Sequence, residues 1–386
     1  MLFVKTSELK EGMRLARPIY NKNGVLLYER NSKLTGQGIS SVKNFGLIGI
    51  FILEPAEPVP PMTKDDIEFE RFQTMSVFAI KEEMAKILQS GHASRLQSIA
   101  GTIIKQYGHL DKKINLIQSL RSKEDFIQKH ALNVAILCAM MTHVLNMRLD
   151  EQQDTVIAGL VHDIGKLKMS MSMPEDSEWD ESDQEMMMRA QVEGFALIER
   201  AFASQGLRRI CMQAQKLHEA FLKGKQIDAK LVQGAKVLAV ANAFDEMTAM
   251  KFGGEPASEV HALKVLLENP DIFDEQVVDS LIRSIYILAS GTSIELNTGE
   301  KGVVIRQNEE NILRPMILTF HDNNIVDLRN EVLYGDLEIK DIMKTLDNRY
   351  IMNTGLLKEN GIEVEAPEYV SVAGEETEEY VPGRDF

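Results

Sequence analysis

His162 and Asp163 stand side by side in the run Asp154-Thr155-Val156-Ile157-Ala158-Gly159-Leu160-Val161-His162-Asp163-Ile164-Gly165-Lys166. An imidazole next to a carboxylate on an otherwise apolar helix forms a compact site for a divalent metal. Lys166 lies four residues after His162 and three after Asp163, so helical geometry brings it to the same side one turn along. An ammonium fixed beside a metal suits a non-bridging phosphate oxygen in a displacement reaction. The bland alternative for Lys166 is a helix-terminal lysine that interacts with the helix dipole.

Three further helical stretches each carry a ligand-capable residue on an apolar stripe. His130 shares a face with Phe126, Ile127, Val134, Leu137 and Met141 in a helix expected over Glu124–Leu145. His218 follows Ile210, Cys211, Ala214 and Leu217 in a helix expected over Leu207–Leu222, and Asn242 and Asp245 follow Leu231, Ala235 and Leu238 in one expected over Ala229–Met250. The 3.6-residue period turns all of them inward. A lone histidine on such a face is usually a satisfied core residue. Several buried polar groups, each costing roughly 1–3 kcal/mol if unpaired, call for mutual satisfaction by a metal or a hydrogen-bonded cluster.

The elements that must position these residues follow from pattern and punctuation. Residues 1–55 read as a small α/β unit: a strand over Met13–Tyr20, an Asn23-Gly24 hairpin turn, a return strand over Val25–Tyr28, a short helix near Gly38–Asn44 and a β-rich run over Leu47–Leu53. The proline-rich stretch 56–64 reads as a linker. Residues 65–290 are helical, broken by an acidic loop at Pro174–Asp183 and a loop at Phe252–Pro256. A β appendage over 291–330 is expected from short strands at Thr292–Leu296, Gly302–Gln307 and Met316–Phe320. A helical or mixed segment spans 331–365, and the acidic stretch 366–386 is expected to be disordered. The fold class is therefore mainly α, a helical bundle with a small unit at either end.

Composition bounds the function. Over 386 residues, 44% are hydrophobic and 26% charged, as in ordinary soluble domains, and twenty methionines suit adaptable helical cores. The net charge of −15 argues against DNA and anionic membranes as partners. No apolar run is long enough to span a bilayer and no signal peptide is visible. Cys138 and Cys211 lack CxxC spacing and read as free thiols, so a cytoplasmic location is expected. The helix Asp66–Gln89 carries Ile67, Val77, Met84 and Leu88, which form either a homodimer seam or an internal packing face.

With these motifs in order, about Lys123 to Pro315 resembles the HD-GYP family, a subgroup of the HD-domain metal-dependent phosphohydrolases. His130-Ala131-Leu132-Asn133-Val134-Ala135 is similar to the family's first metal-histidine helix, and His162-Asp163-Ile164-Gly165-Lys166 to its central motif. Val237-Leu238-Ala239-Val240-Ala241-Asn242-Ala243-Phe244-Asp245-Glu246-Met247-Thr248 is similar to its late aspartate helix, and Gly291-Thr292 through Gly302-Val303-Val304 to Arg314-Pro315 to its closing β segment. The resemblance implies an HD-domain helical bundle, a divalent metal centre and cyclic di-GMP hydrolysis.

Departures from the pattern qualify that implication. Ala190 occupies the expected position of a metal histidine four residues before Gly194. Leu217-His218-Glu219 keeps one histidine of an expected pair, and the Gly-Tyr-Pro loop after it is replaced by Ala220-Phe221-Leu222-Lys223-Gly224. Asn242 replaces the late metal aspartate, Lys251 an arginine that would meet the nucleotide, and Met169–Asp183 the usual loop after the central motif. Four of seven implied ligands remain: His130, His162, Asp163 and His218. The resemblance thus implies one divalent transition metal such as iron or manganese, with Asn242 offering an amide oxygen, or no metal at all.

Three functions follow for comparison. A degenerate signalling domain would bind a cyclic dinucleotide, another nucleotide or a partner protein with weak or no turnover. A single-metal phosphodiesterase would use Asp163 and Lys166 at the phosphate and lose activity in Asp163→Ala but not in His218→Ala. A scaffold with core histidines would bind neither metal nor nucleotide.

Overall fold

The computed structural model describes residues 2–343 apart from 21–24, 45–48, 54–61, 119–120, 122–124, 168–180, 228–229, 250–255 and 323. The expected Asn23-Gly24 turn, most of the 56–64 linker and most of the acidic loop lie outside the described residues, as do Lys251, residues 344–365 and the acidic stretch 366–386. The architecture is mainly helical, with a small sheet near each end.

The N-terminal unit is built on β1 (Leu2–Lys5), β2 (Arg14–Leu15) and β5 (Gly49–Leu53), antiparallel in the order β1-β5-β2. The single strand expected over Met13–Tyr20 is two short pieces, because the chain leaves the sheet after Leu15 and passes Pro18. The second piece, β3 (Ile19–Tyr20), pairs separately with β4 (Leu26–Tyr28). Helix α1 (Gly36–Asn44) closes the unit over a core of Leu15, Ile19, Leu34, Val42, Ile50 and Ile52.

Helix α2 (Lys64–Ser90) begins with a capping box, Thr63 accepting from the Asp66 backbone while Asp66 accepts from Thr63, and ends at Gly91 with φ of 72°. Val77 and Met84 on the expected apolar stripe are buried in the chain's own core, with Ile67 and Leu88 packed on its edge. The stripe therefore serves internal packing. α3 (Leu96–Tyr107) follows directly, and Glu83 of α2 joins the two. Its buried carboxylate accepts from the backbone N–H groups of Ser94 and Arg95 at 3.0 and 2.6 Å, and from Lys86 at 2.6 Å.

Burial pushes the Glu83 carboxyl up, but hydrogen bonds from Lys86, Arg95 and Ser94 outweigh it and hold the pKa at about 2. A depressed folded pKa gives stability that is complete above the unfolded value and lost as pH falls towards about 2. Stability curves of the wild type and Glu83→Gln are expected to differ by on the order of 1–2 kcal/mol at pH 7, because the half-exposed Lys86 and Arg95 are screened by solvent, and to converge between pH ~5 and ~2. A constant difference across that range, measured by urea unfolding, would show that the carboxylate does not carry the effect.

Helix α4 (Phe126–Val144) is apolar nearly all round, so it runs through the centre of the bundle, buried from Ala131 to Thr142. Around it pack α2, α3, α5 (Leu149–Val161), α8 (Gln233–Thr248) and α10 (Glu275–Ser284). α6 (Glu181–Phe202) and α7 (Gln205–Leu222) complete the wall beside α5 and α8, and α9 (Glu259–Leu267) links α8 to α10. No helix of the described residues is long and apolar enough to cross a membrane.

The C-terminal strands β6 (Ser293–Leu296), β7 (Lys301–Arg306) and β8 (Met316–Thr319) fall where the sequence puts them. The sheet is larger than expected: β9 (Ile325–Asp327) and β10 (Ile339–Ile342) join in the order β10-β6-β7-β8-β9. The segment after 330 therefore contributes the short helix α11 (Glu331–Tyr334) and an edge strand to the appendage.

Candidate metal centre

The helix expected to run through Lys166 stops at Val161. His162 caps α5, Asp163 stands in the turn, and Ile164–Lys166 form one 3₁₀ turn closed by Lys166 N–H donating to the Asp163 carbonyl at 2.9 Å. Gly165 is what lets this turn lie directly against the backbone of α6. A Cβ there would run into the Ala190 carbonyl and come within 3.0 Å of the Gln191 Cα. Gly194 is seated in return against Gly165, where a Cβ would lie 2.8 Å from its nitrogen. Backbone-to-backbone contact between α6 and the turn thus sets where Asp163 and Lys166 point.

His130 from α4, His162 and Asp163 from the turn, and Asn242 from α8 converge. His130 Nε2 is 3.2 Å from His162 Nε2 and 3.8 Å from Asp163 Oδ2. Asn242 Oδ1 is 3.0 Å from the first imidazole and 2.9 Å from the second, and His162 Nε2 is 3.7 Å from Asp163 Oδ1. Among the described residues, His130, His162 and Asp163 are the group of imidazole and carboxylate side chains whose ligand atoms lie together, within 4.8 Å of one another.

The protons decide what such a cluster wants. His130 Nδ1 lies 2.6 Å from Asp245 Oδ2, and His162 Nδ1 lies 2.9 Å from the Gly159 carbonyl. Each of these oxygens only accepts, so each Nδ1 carries the hydrogen and each Nε2 presents a lone pair to the centre. Asn242 Oδ1 and the Asp163 carboxylate add two more acceptors. The two Nε2 atoms and the Asn242 oxygen meet at one point with no donor placed among them, beside a carboxylate that already accepts from Lys166 and Gln191, so they call for a cation or a shared proton. Their separations of 2.9–3.8 Å match neighbouring ligand atoms around an ion bound at about 2.0–2.2 Å. The residues fit a divalent transition metal.

Electrostatics hold the two carboxylates ionised and shift the two imidazoles in opposite directions. Burial pushes the Asp163 carboxyl up, but the Lys166 ammonium and the two imidazoles outweigh it and hold it well below the usual carboxylate range. Asp245 is depressed in the same way, its burial overcome by Arg121 and His130. Burial lowers the His162 pKa, and the neighbouring His130 and Lys166 charges lower it further against the pull of Asp163. His130 goes the other way: burial lowers it, yet Asp245, with Asp163 and Glu246 behind it, more than compensates and raises it.

Residues 115–277 match the family model described as an HD domain. The chain contains an HD domain. It is also 23% identical over 255 residues to a Pseudomonas aeruginosa protein named a cyclic di-GMP phosphodiesterase, a match covering 61% of this chain and 57% of that protein. The chain therefore spans about half the length of the curated relative it matches.

The remaining candidates of the HD domain sit around this centre in distinct ways. Lys166, its side chain 21% exposed, donates to Asp163 Oδ2 at 2.6 Å and lies 3.9 Å from Glu246 Oε1. It is neither a free surface lysine nor a side chain pointing away from the site. His218 on α7 lies 3.4 Å from Glu246 Oε2 and lines a cleft with His162, Gln191, Cys211, Gln215 and Asn242. It stands outside the group of three. Ala190 is buried against the turn. Its neighbour Gln191 donates to the His162 carbonyl at 2.7 Å and to Asp163 Oδ1 at 3.0 Å.

Several residues that hold this arrangement carried no sequence expectation. Arg121 Nη2 donates to both oxygens of Asp245, at 2.9 and 2.7 Å. Asn133 and Gln118 donate to the same carboxylate at 2.8 and 3.2 Å. Asn133 follows His130 by three residues on the same face, a spacing that could have marked it. Gln118 and Arg121 lie between helices, where no periodicity points inward. Cys138 and Cys211 are free and buried, and burial pushes both thiols up.

Proposed function

We propose that this chain is a degenerate HD-GYP-like signalling protein. It holds at most one divalent metal and acts through binding a cyclic dinucleotide, another nucleotide or a partner protein, with little or no hydrolysis. The observation that carries this reading is the state of Asp163. In a two-metal centre its carboxylate would bridge the ions, but here Oδ2 accepts from the Lys166 ammonium and Oδ1 from the Gln191 amide. Lys166 in turn leans towards Glu246, with His218 on that residue's other oxygen. A built-in cation thus occupies the outer side of the aspartate, and among the described residues no second imidazole pairs with His218.

His130, His162, Asp163 and the Asn242 oxygen would hold the one ion. Bound there, a divalent metal supplies Lewis-acid polarisation of a phosphoryl oxygen and a more acidic bound water. Asp245 and the Gly159 carbonyl keep both imidazoles aimed, and Asn242 brings no charge to strengthen the grip. The similarity to a protein named a cyclic di-GMP phosphodiesterase supports a cyclic dinucleotide as the ligand, and Lys251 is proposed to contact it. The free buried thiols support a reducing, cytoplasmic setting.

Elemental analysis of protein expressed with iron and manganese is expected to give one metal per chain or less. Cyclic di-GMP incubated with that protein should stay intact on chromatography while raising its melting temperature. Two metals per chain with release of linear dinucleotide or GMP would overturn the reading. A metal ratio of one with hydrolysis that is lost in Asp163→Ala would instead favour a single-metal phosphodiesterase, for which the placement of Lys166 beside Asp163 is the supporting observation.

A further inference from the structure

Among the described residues, a buried side chain of the N-terminal unit leads towards the metal centre. Arg17, 8% exposed, leaves the sheet just after β2, with its guanidinium over the Phe51 ring of β5 at 5.4 Å. Its Nη1 donates across to the Gln118 carbonyl at 3.2 Å and lies 3.5 Å from Glu70 of α2. Gln118 belongs to the HD domain, in the connection before α4, and its side chain is equally buried. Gln118 Nε2 donates to Asp245 Oδ1 at 3.2 Å and to Thr248 Oγ1 at 3.0 Å, while Oε1 accepts from Asn133 and Arg121 at 3.1 and 3.3 Å. Asp245 is the carboxylate that accepts from His130 Nδ1.

The preceding residue is clamped as well. Gln73 of α2 donates to the Ile117 carbonyl at 3.2 Å and to Asn133 at 2.7 Å, so the same connection is held from the helix that leads out of the N-terminal unit. Every link in this line is a buried hydrogen bond, and such networks have few alternative arrangements. Residues that orient a metal histidine from behind typically change metal affinity by about 10–100-fold when altered.

We propose that Arg17 is a positioning residue through which the N-terminal unit sets metal affinity. By holding the Gln118 carbonyl, it keeps the Gln118 amide on Asp245 and so keeps His130 aimed at the centre. Anything that moves β2 or β5 relative to α2 then loosens the ion, and by reciprocity the bound ion steadies the N-terminal unit. This rests on the metal assignment above.

The test uses the full chain and Mn²⁺. Calorimetric titration should show Arg17→Met binding Mn²⁺ about 3–10-fold more weakly than wild type, less than for a direct partner of Asp245. Arg17→Lys, which keeps a donor for the Gln118 carbonyl, should recover most of the affinity. A merely structural arginine would lower the melting temperature of both variants and leave Mn²⁺ affinity unchanged, and that result overturns the proposal while the metal centre stands. If Arg17→Met does not fold, hydrogen exchange of the wild type decides: amides over residues 14–20 should slow when Mn²⁺ is added, and unchanged exchange overturns the coupling. Wild-type protein that takes up no Mn²⁺ overturns the metal assignment and the coupling together.

Discussion

Asp245→Ala is expected to lower the unfolding free energy by about 3–5 kcal/mol, the cost of breaking a buried ion pair from one side. The carboxylate is fully buried and accepts from four residues at once: Arg121, His130, Asn133 and Gln118. Arg121 is 1% exposed, stacked over Phe126, and would keep its charge without the carboxylate it now donates to. His130 would lose the partner that fixes its tautomer. Asp245→Asn keeps the volume and an oxygen for Arg121, so it should cost less stability while still weakening metal binding, because its amide no longer holds the Nδ1 hydrogen as a carboxylate does. Urea unfolding of both variants measures the first effect. A loss below about 1 kcal/mol in Asp245→Ala would mean that the ion pair and its hydrogen bonds contribute far less than their burial implies.

Asn242→Asp should have the opposite sign on metal. The side chain already places an oxygen 3.0 and 2.9 Å from the two imidazole nitrogens, so the change adds charge without asking for a new geometry. Mn²⁺ binding is expected to tighten by at least about tenfold, equivalent to ~1.4 kcal/mol. Without metal, a second carboxylate facing Asp163 in a buried site is unfavourable, and the metal-free variant should melt below the wild type. Thermal melts with chelator and with Mn²⁺ should therefore cross over between the two proteins. Equal Mn²⁺ affinity in titration would sink the assignment of Asn242 to the ion's shell.

Much of the metal-facing surface was legible in the sequence because it lies on regular helices. His130, Asn242 and Asp245 each repeat with the apolar period of their helix, and period alone turns them inward. His162 and Asp163 were legible as residues but not as geometry. The turn after Val161 lies against Ala190 and Gln191 at Gly165, a contact between segments some twenty-five residues apart that no local pattern encodes. Lys166 illustrates the cost: its side came from helical spacing, while its partnership with Asp163 and Glu246 comes from the turn and from α8. Gln118 and Arg121 escaped because a connecting segment has no period to read. The sheet near the C-terminus shows the same limit, since Ile339–Ile342 is recruited by pairing with β6 rather than by its own alternation.

The seating of Gly165 and Gly194 against each other's backbone separates two properties that usually travel together. The turn that presents Asp163 is located by main-chain contact, whereas the ion would be gripped by side chains that take no part in that contact. The side chains at Ala190 and Asn242 can consequently differ in what they offer an ion without moving the turn that carries Asp163.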